Sequence, residues 1–178
     1  MSVVAVRVAH FTLDPRDGRA VVLLVHEPSQ RVLPLWIDDD AAAALASALR
    51  GDRLTSSSTA ALLWAAVQAC GGGIERCELT AEMGGVLQAV VVVEGAFGPA
   101  ELPARASVAA TLAVLSGAPL VVDDLLLSAV HSLLVEAAAR QRGQKDVAVD
   151  APLLQTTSER WNQLLEHLRE KIVDERPS

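Results

Sequence analysis

The stretch from Arg31 to Gly51, RVLPLWIDDDAAAALASALRG, most narrows what this chain can fold into, because it passes from strand to helix with no loop between them. Leu33, Leu35 and Ile37 alternate as on a half-buried strand. Pro34 has no amide donor and so places that strand at a sheet edge or at the start of a ladder. Asp38 is then the N-cap. Asp39 and Asp40 fall in the first helical turn, where carboxylates meet unpaired amides and the positive end of the helix dipole. Ala42, Leu45 and Leu49 repeat at helical spacing, so the helix is expected to pack on the sheet by a narrow face of small residues.

The rest of the chain repeats this order of strands, then helix. Val4, Val6, Val8 and Phe11 open a strand, residues 14–18 are turn chemistry, and Ala20 to His26 returns as its hairpin partner. The Leu33 strand completes an antiparallel meander. Ser56 to Thr59 supply cap-competent residues for a second helix, in which Leu63, Val67 and Cys70 share a face until Gly71, Gly72 and Gly73 end it. That glycine triplet closes a helix and is followed by no Gly-Lys-Ser/Thr, which argues against a phosphate loop. Arg76 to Thr80 and Val86 to Val93 form a second hairpin, with a short strand at Ala100 to Leu102. Ser107 is expected to cap a third helix bearing Val108, Leu112 and Leu115, stopped by Gly117 and Pro119. Asp123 or Asp124 opens a long helix with Leu126, Val130, Leu133, Leu134 and Ala137 on one side and a solvated His131 on its flank.

These elements predict an α+β domain over 1–140, in which antiparallel hairpins and packed helices share one core. Residues 141–155 read as a linker, and 156–178 as a C-terminal amphipathic helix and tail. The stripe of Trp161, Leu164, Leu165, Leu168 and Ile172 cannot stand alone in water. A homodimer with this helix in the interface is expected, the alternative being that the helix covers its own domain.

Composition bounds the function. The 178 residues are 51% hydrophobic but only 3% aromatic, with no Tyr, so the core is built from Ala, Val and Leu and platforms for stacking unpaired bases are scarce. A net charge of −7 disfavours nucleic-acid binding through a broad basic field, unless a carboxylate-bound cation inverts the field locally. Cys70 and Cys77 are too few for a zinc site and read as free, buried thiols of a reducing compartment. Arg7 and His10 interrupt the N-terminal apolar run, and no 18-residue apolar stretch follows, so the expected location is the cytoplasm, away from membranes.

Two motifs carry a resemblance. Arg31-Val-Leu-Pro-Leu-Trp-Ile37, with its alanine-rich helix ending Leu49-Arg50-Gly51, resembles the R-x-L-P-I-W-I-G segment of the bifunctional nuclease domain family. Ala104-Arg-Ala-Ser-Val-Ala109, continuing to Ser116-Gly-Ala-Pro-Leu120 and Val122-Asp-Asp124, resembles that family's D-A-R-P-S-D-A, T-G-A-P-I and V-x-E-E. The likeness spans roughly residues 1–135, in matching order. It implies hydrolysis of DNA or RNA phosphodiesters with a divalent metal, Mg²⁺ or Mn²⁺. The family's carboxylates, however, fall on Pro103, Val108 and Ala41, and its Thr-His-Asp falls on Thr59-Ala60-Ala61. Arg105 and Ser107 are retained, and with Thr59 they are the candidate phosphate-binding residues. Asp38, Asp39 and Asp40, like Asp123 and Asp124, suit caps better than a cation site, because consecutive helical residues diverge. Three readings stay open: a metal-dependent nuclease, a non-catalytic assembly or binding module of the same fold, and a small-ligand pocket near Trp36 and Arg105.

Overall fold

The computed structural model describes residues 2–13, 19–52, 58–81, 87–96 and 98–141. Two three-stranded antiparallel meanders, β1 (Val3–Leu13), β2 (Ala20–His26) and β3 (Arg31–Ile37), then β4 (Gly73–Ala81), β5 (Leu87–Gly95) and β6 (Gly98–Arg105), form the halves of one seven-stranded sheet. The short β7 (Leu120–Asp123) lies between them, antiparallel to β1 and parallel to β4, giving the order β3-β2-β1-β7-β4-β5-β6. The expected α+β class is therefore the class observed. The single parallel pair arises because α3 (Ala106–Ser116) carries the chain from β6 back across β5 and β4 before β7 enters the sheet.

Both outer strands carry proline, as Pro34 foreshadows. β3 is one edge; β6, with Pro99 and Pro103, is the other. Missing amide donors at an edge blunt its capacity to recruit a further strand.

Helices cover both faces of the sheet. On one face α3 is central, with Ala106, Ala109, Ala110, Leu112 and Ala113 all buried. Its small side chains allow α1 (Asp39–Leu49) and α2 (Thr59–Ala69) to pack closely on it. The chief neighbour of α1 is therefore α3 rather than the sheet. Its buried residues are Leu45 and Ala48, and Leu49, expected to face inward, is exposed. Beside the edge strand β3, α4 (Asp124–Gln141) contributes to both sides of the sheet: its Leu127 is buried in the main core, and its Leu134 closes a second, smaller core of Val21, Leu23, Val25 and Val32 on the opposite face. β2 thus has helices on both sides, which explains why Ala20 to Val25 is an unbroken apolar run rather than an alternating one.

Local chemistry sets the helix ends. Asp38 accepts the Ala41 amide at 2.8 Å and Ser58 accepts the Ala61 amide at 3.2 Å, capping α1 and α2. Asp123 Oδ1 takes the Leu125 amide at 2.8 Å at the start of α4. Gly117 ends α3 at φ 73°, a left-handed position that glycine adopts without Cβ strain. Gly72 is required for space: a Cβ there would lie 2.5 Å from the Glu94 carbonyl oxygen.

Three further expectations change. Ser107 does not cap α3. β6 runs without a break to Arg105, whose extended φ and ψ make it the cap position, so Ser107 already lies inside the first turn. Cys70 ends α2 in an exposed position, whereas Cys77 is fully buried, its thiol pushed up to about 11 by desolvation. His131 is held against β3 rather than solvated. The linker beyond Gln141, the terminal helix and the dimer built on its stripe lie outside the described residues.

Candidate functional site

The N-terminal ends of α1, α2 and α3 meet at one cleft of about 500 Å³. Asp38, Asp40 and Ser47 enter it from α1, Ser58 and Thr59 from α2, and Arg105, Ser107 and Thr111 from α3. The floor is made of alanines and Val108, the same small residues that let the three helices approach. All three phosphate-binding candidates, Thr59, Arg105 and Ser107, therefore line a single concavity despite the sequence separation of the first from the others.

The three ends are not equivalent. Those of α1 and α2 are closed by Asp38 and Ser58, whereas α3 has no side-chain cap. Its first-turn amides lie where a helix leaves donors unpaired and where the dipole is most positive. Arg105 occupies the cap position itself. Among the described residues its guanidinium makes no hydrogen bond or ion pair, and the hydroxyls of Thr59 and Ser107 also lack partners. Thr111 differs: its hydroxyl donates to the Ser107 carbonyl at 2.9 Å, so it shapes the wall and has no proton left to offer. An uncapped helix end with a free guanidinium at its mouth is chemically suited to an anion, above all a tetrahedral one that can take backbone amides and a forked donor together.

The acids in the cleft are Asp38 and Asp40. Asp38 is engaged through one oxygen at the α1 cap, leaving its other oxygen and Asp40. Among the described residues no group of three or more His, Cys, Asp or Glu side chains could hold a metal ion. The donor set does not fit the divalent metal that a nuclease reading implies, so no hydrolytic step is derived through one. Asp123 and Asp124 lie outside the cleft, where the first caps α4 and the second pairs with Arg31 at 2.6 Å.

Trp36 packs against the small core, on the opposite face of the sheet, and does not line the cleft that holds Arg105. Ser128, His131 and Asp124 do come together on α4, but not as a nucleophilic triad. Ser128 donates to the Asp124 carbonyl at 2.8 Å, and His131 Nδ1 accepts from a backbone amide, leaving no serine-to-histidine hydrogen bond. Ser47, Ser58 and Thr111 are cleft residues that sequence reasoning missed as a group. For Thr111 the one signal is a hydroxyl at i+4 from Ser107 on an otherwise apolar helix.

Comparison with known proteins agrees with this architecture. A search of curated proteins finds no match to the chain. The family profile described as the bifunctional nuclease domain matches residues 21–134, from β2 into α4, and so includes every element that lines the cleft. That span is well over half of the chain, and the chain belongs to the bifunctional nuclease domain family.

Proposed function

We propose that the cleft binds a phosphodiester of nucleic acid, with one phosphate seated on the first-turn amides of α3 and clamped by Arg105, and that the chain acts as a binding member of its nuclease family rather than as a hydrolase. The observation that carries this reading is the uncapped α3 N-terminus with the unpaired Arg105 guanidinium beside it. Thr59 and Ser107 supply hydroxyl donors at the same mouth. The capped ends of α1 and α2 add their dipoles to the field at the cleft.

The same residues set the limits of the affinity. Asp38 and Asp40 keep the cleft from being uniformly positive, and the net charge of −7 opposes a polyanion at long range. Binding is therefore modest and weakened by salt. With 3% aromatic residues the protein grips backbone rather than stacked bases, so sequence preference is slight.

Labelled single-stranded and duplex DNA and RNA, incubated with the purified protein with and without Mg²⁺ or Mn²⁺, test this directly. Retarded oligonucleotide that stays intact under every condition supports the binding reading. Metal-dependent cleavage that disappears in Asp40→Asn would replace it with the hydrolase reading, and absence of any binding would remove both.

A further inference from the structure

The opposite face of the sheet carries a polar cluster that the cleft does not use. His131, on α4, accepts a hydrogen bond at Nδ1 from the backbone amide of Val32 at 3.3 Å. Val32 belongs to β3, an edge of the sheet, and its amide is directed at α4 rather than at β2. Strand alternation sends the main-chain groups of residues 34 and 36 the same way, and residue 34 is a proline with no donor. His131 thus satisfies one of the few amides this edge presents outward. Beside it, Arg31 of the same strand pairs with Asp124 Oδ1 at 2.6 Å and donates to the Ser128 hydroxyl, about one turn before His131.

We propose that the His131–Val32 contact is an acid-sensitive latch, in which protonation of the imidazole releases α4 from the β3 edge and uncovers the apolar face beneath it. A neutral imidazole accepts at one ring nitrogen; an imidazolium carries a proton on both and can accept at neither. Protonation therefore sets the ring N–H against the Val32 N–H. It also adds a positive charge beside the Arg31 guanidinium. Both effects disfavour the docked helix. The other titratable and charged groups on the surrounding elements are otherwise engaged or turned to solvent. Asp123 caps α4, Asp124 is paired with Arg31, His26 bonds Ser29, Arg7 pairs with Glu27, and His10 and Glu136 are exposed. Among the described residues Arg31 acts electrostatically on the imidazole, in the same direction as burial, which is the larger influence, to hold the pKa of His131 below its ordinary value.

The sign follows. The unfolded or undocked imidazole takes up a proton more readily than the docked one, so docking is fully favoured above the ordinary histidine value of about 6.5. It weakens as the pH falls from there through the depressed docked value. Release exposes Val21, Leu23, Val25 and Val32, together with an unpaired edge amide.

Hydrogen exchange of the full chain between pH 8 and 5, corrected for intrinsic rates, tests the latch. In the wild type, protection of β3 falls by up to about tenfold per pH unit below neutrality, the limit for uptake of one proton, while β4 and β5 stay constant. His131→Gln, which keeps a neutral acceptor at every pH, holds β3 protection level. A flat wild-type profile, or an equal loss in His131→Gln, overturns the proposal. If that variant fails to fold, NMR titration of the wild-type imidazole decides: protonation must coincide with loss of the Val32 amide signal from its docked position, and protonation that leaves this amide unmoved overturns the latch.

Discussion

Replacing Arg105 with alanine separates binding from stability more cleanly than any other change. The side chain is exposed and makes no hydrogen bond or ion pair among the described residues, so its loss leaves no buried partner unsatisfied. The expected change in unfolding free energy is within about 0.5 kcal/mol, the range of ordinary surface substitutions. Binding is another matter. A hydrogen bond to a charged group is worth about 1.5–3 kcal/mol, and solvent screening at an exposed mouth places Arg105 at the lower end. A loss of about 1.5 kcal/mol is about a tenfold weaker dissociation constant. Because one phosphate contact disappears, the dependence of log affinity on log salt for a single strand becomes shallower by about 0.7. Fluorescence anisotropy with a labelled oligonucleotide across a salt series reads both quantities, and urea unfolding reads the first. Arg105→Ala binding as tightly as the wild type, with an unchanged salt slope, would refute the placement of the phosphate at this helix.

The remaining predictions concern the scaffold that positions the cleft. Asp38→Ala removes the α1 cap, a bond of 2.8 Å to the Ala41 amide, and lowers stability by about 1 kcal/mol in urea unfolding. Gly72→Ala drives a Cβ to 2.5 Å from the Glu94 carbonyl oxygen and is expected to cost about 1–3 kcal/mol, because neither backbone segment can yield as a flexible side chain would. Leu127→Ala empties a site that is 0% exposed in the main core and should lower stability by about 2–5 kcal/mol by the same measurement.

Much of the frame was legible because it is written in local chemistry. Asp38 reads as a cap from its place between an alternating strand and an alanine run, Gly117 reads as a helix stop, and Pro34 marks an edge. These signals require no knowledge of distant contacts. The place of β7 was not legible. Its four residues pair with β1 and β4, and only the path of α3 over the sheet decides that they separate the two meanders. The second core was hidden for a similar reason. β2 reads as apolar throughout, which tells that both of its faces are covered but not by what. At the site, Arg105, Ser107 and Thr59 were found through a family likeness. The expectation that Ser107 caps α3 concealed the more informative feature, that this helix end has no cap. A shift of two residues in where the helix begins turned a satisfied terminus into an open one, and helix boundaries are the part of a sequence reading that local propensity fixes least.

The central claim is that a phosphate sits at the start of α3, and amide chemical-shift mapping by NMR tests it most directly. Titrating the protein with a short single-stranded oligonucleotide at low ionic strength should move the backbone amides of Ala106, Ser107 and Val108 first and furthest, with smaller shifts at Thr59, and Arg105→Ala should need about tenfold more oligonucleotide to reach the same shifts. Shifts concentrated on other residues, or the same shifts at the same oligonucleotide concentrations in Arg105→Ala, would contradict the account.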